Sequence, residues 1–395
     1  MHCLFSKFSV ERKKLVHDQK LVSIIVPCWN GQDYIGKCFN SIKAQSYKNI
    51  EVIVVDNGSA DRSKKMIRKD FSDLHPVLME NPKNFGFAKA LNQGIAASTG
   101  EFVLALNTDA ILEPDYIEKL VSAMGVKEIG SATGKLYRLP EDWEGRRIID
   151  STGHILLAGE SVVNRGEEED DIGQYDREKD IFGVSAAAAI YKREMLEDVK
   201  MGGEYFDEDF FVSFEDVDLD WRAKLRGWNS IYVPEAVAHH KRYGTNWPLD
   251  EKMLINAKRN KLLLVIKNDF ALNYLLNFPF VFAYGFEDFL YNHFKDYRFA
   301  ISSFIRFVAA VPWAIHKRSM VKKMRRITLS DFRRYVNITG KDLKKLLDVT
   351  GTFVTLGILI YFFGAKNTLL FAVFVFFILN PAVFYLKRLV EKPGE

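Results

Sequence analysis

The sequence predicts an α/β fold with a mostly parallel sheet, followed by a helical membrane-associated region. Short apolar segments alternate with segments of helical periodicity over roughly the first 250 residues. The last third is rich in aromatic and aliphatic residues and contains two long stretches without charge. With 395 residues and 48% hydrophobic content, the chain is too long for one typical domain and can build a sizeable core.

The first part of the chain alternates strands with helices. Residues 21–27 (LVSIIVP) and 51–56 (EVIVVD) have the pattern of strands that are buried on both faces of a parallel sheet. Apolar residues at helical spacing lie between them, which predicts a β–α–β unit. Two more predicted helices (SADRSKKMIRKD, GFAKALNQGIAAS) and the buried strand EFVLAL follow. Ligands bind beyond the carboxyl ends of such strands, so the loops of interest are PCWN (27–30), DNGS (56–59) and NTDA (107–110).

A later helix is expected to begin near Glu215 and to stop at Gly227, because Val217, Trp221 and Leu225 share one face. No GxGxxG motif follows the first strand, which argues against an ordinary NAD or FAD site.

The apolar last third predicts contact with a membrane. Residues 270–316 have the composition of helices at a membrane interface. Residues 349–365 and 369–386 carry no charge and are each close to the minimum length for spanning a bilayer. Lysines and arginines flank the pair, so a hairpin with both flanks in the cytoplasm is expected. The alternative is one long helix or an apolar interface between copies in an oligomer. The expected divisions are an N-terminal extension (1–20), a catalytic domain (21–265), an interfacial helical region (266–345) and a transmembrane hairpin with a basic tail (346–395).

Charge and cysteine content point to the cytoplasmic side of the cell membrane. The net charge is +4, and the block KRSMVKKMRR (317–326) carries six cations and no acid. Its position between apolar stretches favours anionic membrane lipids over nucleic acid. Three cysteines without a CxxC pair give no sign of a disulfide framework or a thiolate zinc site. The first twenty residues lack the apolar stretch of a secretory signal, so the catalytic part is expected in the cytosol.

Seven carboxylates fall within the fourteen residues 207–220, and their repulsion requires open water or a cation. One interpretation is a helix N-terminus, where acids are favoured by about 0.3–1 kcal/mol each through the helix dipole. Asp218 and Asp220 are assigned to that group and are expected to face solvent or to pair with Arg222 and Lys224. The other interpretation is that part of the cluster is catalytic.

Other polar residues lie where a ligand would bind. Asp56 ends a strand and is either a ligand of a base or ribose or a turn residue. Asp109 could hold a divalent ion that bridges two phosphates. The segment NFGFAKALNQG (84–94) suits close approach to a phosphate or sugar, or is an ordinary capped helix. One imidazole of the pair His239 and His240 could complete the ion's coordination, although such pairs are more often structural.

Several motifs in one order resemble the family 2 glycosyltransferases, which are inverting enzymes of the GT-A class. The opening VSIIVPCWNGQDYIGKCFNSIKAQSYKNIEVIVVDNGSADRS resembles the start of that family. NFGFAKALNQG, LALNTDAILEPD, IIDSTGH, IFGVSAAAAI and FDEDFFVSFEDVDLDWRAKLRGW resemble its rhamnosyltransferase-like branch. The resemblance covers residues 21–250 and is weak over 270–395. It implies a GT-A, Rossmann-like catalytic domain.

The resemblance also implies roles for single residues. Asp109 matches the metal-binding aspartate of the DxD motif, although this chain has Asn107 at the first position, which would act through water. His240 matches a histidine that approaches the metal or the diphosphate, and His239 is the less favoured of the pair. Mg²⁺ or Mn²⁺ is the implied ion. The predicted nucleotide-sugar contacts are Pro27, Asn30, Asp56, Asn84, Gly86, Lys89, Asn92, Asn107 and Thr108.

Asp216 matches the family's catalytic base, with Glu215 beside it near the acceptor. The expected function is metal-dependent, inverting transfer of a sugar in cell-surface polysaccharide synthesis. The donor would be a dTDP- or UDP-sugar, with dTDP-rhamnose favoured, and the acceptor a lipid-linked molecule or a glycan. A processive polysaccharide synthase is the first alternative, but the sequence has no QxxRW motif. A non-catalytic membrane scaffold that binds nucleotide sugars is the second.

Overall fold

The computed structural model describes residues 20–139, 146–159, 161–242, 251–281, 283, 297–338, 343–344, 346–349 and 351. The strands are β1 (Val22–Cys28), β2 (Ile50–Asp56), β3 (Val77–Glu80), β4 (Phe102–Leu106), β5 (Ala110–Leu112), β6 (Ile129–Arg138), β7 (Ile149–Ser151), β8 (His154–Leu157), β9 (Val162–Asn164), β10 (Asp180–Ile181), β11 (Ala188–Lys192), β12 (Asn229–His240) and β13 (Val336–Asn337). The helices are α1 (Ile35–Lys43), α2 (Ser63–Asp70), α3 (Phe87–Ala97), α4 (Tyr116–Ala123), α5 (Arg193–Val199), α6 (Glu215–Arg226), α7 (Glu251–Asn268), α8 (Tyr297–Met324) and α9 (Leu329–Arg333).

The main sheet is mixed rather than mostly parallel. Its strands lie in the order β10-β12-β6-β11-β4-β1-β2-β3, with β5 paired to β12 and β7 paired to β6. The pairs from β4 through β1 and β2 to β3 are parallel, as predicted. In the other half β12 and β6 are also parallel, but the prediction is wrong for β11, which runs antiparallel between β4 and β6. Strands β8, β9 and β13 form a second, small sheet.

Helices cover both faces of the parallel half, which explains why its strands are apolar without alternation. Ile24 of β1 belongs to the core under α1, α2 and α4. Ile25, the next residue, belongs to the core under α3, α5 and α6. Because β1, β2 and β4 are parallel, their carboxyl ends lie at one edge of the sheet, and the three predicted loops follow there.

The helices that follow the sheet pack on α6. Trp221 of α6 is fully buried and stacks on Phe332 of α9, with ring centroids 5.7 Å apart. Leu264 of α7 and Val321 of α8 belong to the same apolar cluster. The helix α6 begins at Glu215 and ends before Gly227, whose φ is 93°, and both ends were predicted.

None of the helices in the described ranges has the length and apolar character needed to cross a bilayer. The predicted hairpin lies almost wholly beyond the described residues, as does nearly all of the predicted N-terminal extension.

Candidate active site

The first part of the site is the edge where β1 and β2 end. Asp56 is fully buried, and its Oδ2 accepts a hydrogen bond from the Ser59 N–H at 3.0 Å. Its Oδ1 is buried without a hydrogen-bond partner among the described residues. Pro27 lies beside this strand end, and Asn30 follows with a φ of 50° and accepts from the Ala60 N–H at 2.9 Å. The structure brings these predicted residues together and leaves one buried acceptor for a hydroxyl or N–H donor.

The segment that leads into α3 joins this edge to the loop before α6. Asn84 Oδ1 accepts from the Gly86 N–H at 2.8 Å. Gly86 has a φ of 95°, and a Cβ there would lie 2.6 Å from the ring of Phe211. Two further side chains of α3, Lys89 and Asn92, face residues 205–208.

Those two side chains bind protein groups in this structure. Lys89 Nζ lies 3.0 Å from Glu208 Oε2. Asn92 accepts from the Tyr205 and Phe206 N–H groups and donates to the Phe206 carbonyl and to Glu208. Both ends of the Asn92 amide are thus occupied in holding residues 205–208 against α3, and its predicted contact with a nucleotide sugar stays a prediction.

A second cluster of predicted residues lies at the end of β4. Asp109 Oδ1 lies 3.3 Å from His240 Nε2, and Asn107 Nδ2 lies 3.4 Å from the same nitrogen. Asn107 Oδ1 is buried without a hydrogen-bond partner among the described residues, and Thr108 is also buried. His239 points elsewhere, to Glu113 at 3.0 Å. The sequence preference for His240 over His239 agrees with this geometry.

Asp150, which sequence reasoning missed, holds the other side of His240. His240 Nδ1 lies 2.8 Å from Asp150 Oδ2. Burial opposes the charged imidazole, but the Asp109 and Asp150 carboxylates raise the pKa of His240 to about 10. The ring is therefore fixed between two carboxylates, and its Nε2 is directed at residues 107–109 (Asn-Thr-Asp), which we call the NTD loop.

These donors fit a hard divalent cation. A carboxylate, an imidazole nitrogen and an amide oxygen without a partner are ligand types that Mn²⁺ accepts, and Mg²⁺ takes the oxygens. Within the described ranges, however, no three His, Cys, Asp or Glu side chains come together as a complete metal site. Asp109, and His240 once the ion displaces its Nε2 proton, would therefore supply part of a coordination shell, and other ligands must complete it.

The third part of the site is the N-terminus of α6. The side chain of Asp216 is 16% exposed, and its Oδ2 accepts from the Ala186 N–H at 3.2 Å. The carbonyl of the next residue, Ala187, accepts from the Asn107 N–H at 2.9 Å. The backbone group that contacts Asp216, at Ala186, is thus the sequence neighbour of the group at Ala187 that holds Asn107.

Glu215 is more deeply buried than its neighbour Asp216. It is 5% exposed, and its Oε2 has no hydrogen-bond partner among the described residues. Burial first, and then repulsion from Asp216 and Asp218, raise the pKa of Glu215 to about 8. Glu215 is therefore mostly protonated at neutral pH, which leaves Asp216 as the partly exposed carboxylate of the pair.

The prediction that Asp218 and Asp220 face solvent is wrong, because the later helices bury the outer side of α6. Asp218 pairs with Arg222, which was one of the two expected outcomes. Its Oδ1 also lies 2.7 Å from Lys267 Nζ of α7. Burial opposes its charge, but Lys267 and Arg222 lower the pKa of Asp218 to about 2. Asp220 lies 2.8 Å from His154, a second residue that sequence reasoning missed. The quoted motif IIDSTGH contains both His154 and Asp150, and it was the available signal.

The fold, the two clusters at strand ends and the acidic N-terminus of α6 together point to a GT-A-like domain. GalNAc-T7, in a crystal structure with UDP, GalNAc and Mn²⁺, is similar with a TM-score of 0.50 at 12% sequence identity. The alignment covers 63% of this chain and 48% of that one. At this identity the likeness shows the fold alone, and it confirms the predicted GT-A-like α/β class.

Residues 23–200 match the family model Glycosyl transferase family 2. The chain is 30% identical over 200 residues to Glycosyltransferase GlyA of Streptococcus pneumoniae, covering 50% of this chain and 28% of GlyA. It is 24% identical over 238 residues to Poly-beta-1,6-N-acetyl-D-glucosamine synthase of Staphylococcus aureus, covering 58% of this chain and 53% of the synthase. The chain therefore spans less than two thirds of either relative. The predicted enzyme class is confirmed, and the rhamnosyltransferase branch and the inverting mechanism stay predictions.

Proposed function

We propose that the chain is an inverting, metal-dependent glycosyltransferase that moves a sugar from a nucleotide donor to a lipid-linked or glycan acceptor in cell-surface polysaccharide synthesis. The main support is the position of Asp216. Its carboxylate contacts the backbone at Ala186, beside the segment that holds the NTD loop. Single-displacement transfer requires a base and a diphosphate site that are held in a fixed relation, and here adjacent backbone residues hold both.

In this proposal the reaction is one displacement at the anomeric carbon. Asp216 takes the proton of the acceptor hydroxyl while the hydroxyl oxygen attacks that carbon. The bond from the anomeric carbon to the diphosphate oxygen breaks, and the nucleoside diphosphate leaves on the opposite face. Glu215, which is mostly protonated at neutral pH, stays beside the base near the acceptor.

The donor's nucleotide would bind along the strand ends. Asp56 offers its unpartnered Oδ1 to the base or ribose, with Pro27 and Asn30 beside it. Asp109 and His240 would hold Mg²⁺ or Mn²⁺, with Asn107 acting through water, and diphosphate oxygens and water would complete the shell. The ion would offset the negative charge that develops on the leaving diphosphate.

The donor is proposed to be a dTDP- or UDP-sugar, with dTDP-rhamnose favoured by the resemblance. A second candidate is processive synthesis of a polysaccharide, which the similarity to Poly-beta-1,6-N-acetyl-D-glucosamine synthase supports. The missing QxxRW motif favours the addition of one sugar. The length of the product separates the two candidates.

We also propose that the protein works at the cytoplasmic face of the cell membrane. Residues 271–281 are helical with inverted polarity: Leu272, Leu275 and Leu276 are 55%, 65% and 52% exposed, while Asn273 and Asn277 are buried. A helix that faces water has the opposite arrangement. The helix α8 also exposes apolar side chains at helical spacing, namely Ile301, Phe304, Ile305, Val308 and Ile315. These two sets form what we call the apolar face, which suits the boundary of an anionic bilayer.

The experiment that tests this function is a donor screen. Full-length protein in detergent is incubated with Mg²⁺ or Mn²⁺ and a panel of dTDP-, UDP- and GDP-sugars, and release of nucleoside diphosphate is measured with and without a membrane lipid extract as acceptor. We expect release with one or two donors that depends on the ion and rises with the extract. Binding of a donor without release of nucleoside diphosphate from any donor would favour a non-catalytic scaffold.

A further inference from the structure

A buried histidine–aspartate pair lies directly behind Asp216. His154 begins β8 and is 4% exposed, and Asp220 lies one turn after Asp216 on α6 and is 2% exposed. His154 Nδ1 lies 2.8 Å from Asp220 Oδ2. The same oxygen also accepts a hydrogen bond from the Val184 N–H at 3.0 Å. Two groups therefore fix the Asp220 carboxylate.

The backbone around this pair is shaped to fit it. The His154 N–H donates to the Gly183 carbonyl at 2.8 Å, and the Phe182 N–H donates to the His154 carbonyl at 2.9 Å. A Cβ at Gly183 would lie 1.9 Å from Asp220 Oδ2, so only glycine lets the strand approach this closely. Three separate sequence segments thus meet at the hydrogen bond between His154 and Asp220.

The free side of the imidazole faces the proposed base. His154 Nε2 lies 4.0 Å from Asp216 Oδ2, the oxygen that also accepts from the Ala186 N–H. Burial opposes a charged ring, but the hydrogen bond to Asp220 and the charge of Asp216 outweigh it and raise the pKa of His154. Asp220, whose pKa is raised to about 6 mainly by burial, is mostly ionised at neutral pH.

Other charged groups also face this pair. Arg242 opposes protonation of His154. Lys224 lies near Asp220, although burial lowers the pKa of Lys224 to about 7. Glu215 is the remaining neighbour of Asp216 and is mostly protonated at neutral pH. Among these basic groups, His154 is the one with a nitrogen 4.0 Å from Asp216 Oδ2. When its ring is protonated it is a nearby cation, which favours the ionised form of a carboxylate.

We propose that His154 and Asp220 are a positioning pair for Asp216, in which the imidazole held by Asp220 orients the Asp216 carboxylate. This inference rests on the proposed function, because it assigns the pair to the base of that reaction. Asp220 fixes the ring, and the ring, when protonated, presents a positive charge to Asp216. The pair does not touch the substrate.

The test is the pH dependence of transfer by His154→Gln and Asp220→Asn, measured with a donor that wild type uses. We expect kcat to fall about tenfold or more in either variant, the KM for the donor to stay within about twofold, and the acid limb of the kcat profile to move to higher pH. The double variant should resemble either single variant, because the residues act as a unit. His316→Gln, which changes an exposed histidine of α8, is the matched control.

The outcomes separate this inference from the proposed function. A wild type without transfer would refute the proposed function itself. An active wild type with an unchanged kcat and acid limb in both variants would overturn the positioning pair alone. A lower kcat with an unmoved acid limb would also overturn it, because that is the result of a merely structural role. Unfolding midpoints are compared for all variants to check that each one folds. If His154→Gln does not fold, Asp220→Asn alone provides the test, because its side chain can still accept a hydrogen bond from the Val184 N–H.

Discussion

Glu215 links the charge of the site to the stability of the protein. Its pKa is raised from 4.5 to about 8, so the folded state binds its proton more tightly than the unfolded state does. The stabilisation from this group is complete below about pH 4.5 and is lost as the pH rises through about 8. The buried carboxyl therefore makes the folded protein less stable in mild alkali.

The loss of stability with rising pH gives a prediction for Glu215→Gln. The variant should gain stability relative to wild type at pH 8.5 and less at pH 5, because glutamine cannot ionise. Denaturant unfolding at both pH values measures the difference. Glu235→Gln, at an exposed position of β12, is the control and should follow wild type. An equal pH dependence in wild type and Glu215→Gln would contradict the assignment.

At the residue scale, the sequence predicted the positions of the polar residues at strand ends. It did not predict which carboxylates of residues 207–220 are buried. Asp56 and Asp109 follow apolar runs, and their placement needs only the rule that ligands bind at strand ends. Asp218 and Asp220 were assigned to solvent because their partners lie 49 residues later in Lys267 and 66 residues earlier in His154. No local pattern predicts contacts over such separations.

At the scale of elements, the turn before α6 is held by α7. Phe211, Ser213 and Phe214 all have positive φ, at 65°, 72° and 73°, which is costly for residues other than glycine. The Asn260 amide of α7 donates to the carbonyls of Phe210, Val212 and Ser213 at 2.9–3.1 Å. Asn260 is fully buried, so these bonds are shielded from water.

We therefore predict that Asn260→Ala loosens this turn and displaces the proposed base. The free energy of unfolding should fall by about 1–3 kcal/mol, as expected when buried carbonyls lose their donor. The transfer rate should fall as well, because Asp216 follows the turn. Asn256→Ala, one turn earlier on the same helix and bonded to the exposed Arg306, is the matched control. Wild-type stability and rate in Asn260→Ala would show that the turn does not depend on α7.

For the sheet, the sequence predicted the positions of several strands and helices but not the direction of every strand. Helical and strand patterns predicted β1, β2, β4, α2, α3 and α6 in the right places. The antiparallel direction of β11 was not predictable, because a buried strand between two others is apolar whichever way it runs.

At the scale of the whole molecule, the helices after the sheet are tied to the site by buried charges. Lys267 of α7 lies 2.6 Å from Asp207, and Lys317 of α8 pairs with the same carboxylate. The apolar face therefore has a fixed orientation relative to Asp216. The composition of the last third predicted apolar helices, but only the structure shows which side of residues 271–281 is polar.

If the apolar face meets a bilayer, a probe on it should lie within reach of lipid tails. Single cysteines at Leu275, at Ile305 and, as a control, at the exposed Val77 of β3 would carry a fluorophore, with Cys3 replaced by serine. Cys28 and Cys38 are buried and should not react. We expect lipid-borne nitroxides in phosphatidylglycerol-containing vesicles to quench the probes at 275 and 305 much more strongly than the probe at 77. Equal quenching at all three positions would contradict the membrane placement.

The central claim is that Asp216 is the base of a sugar transfer, and the rate of Asp216→Asn tests it most directly. Donor affinity by calorimetry and the unfolding midpoint should match wild type, because asparagine keeps the size of the side chain. Transfer should fall by about 10²- to 10⁴-fold, the usual contribution of a positioned base. Turnover close to wild type in a folded, donor-binding variant would contradict the account.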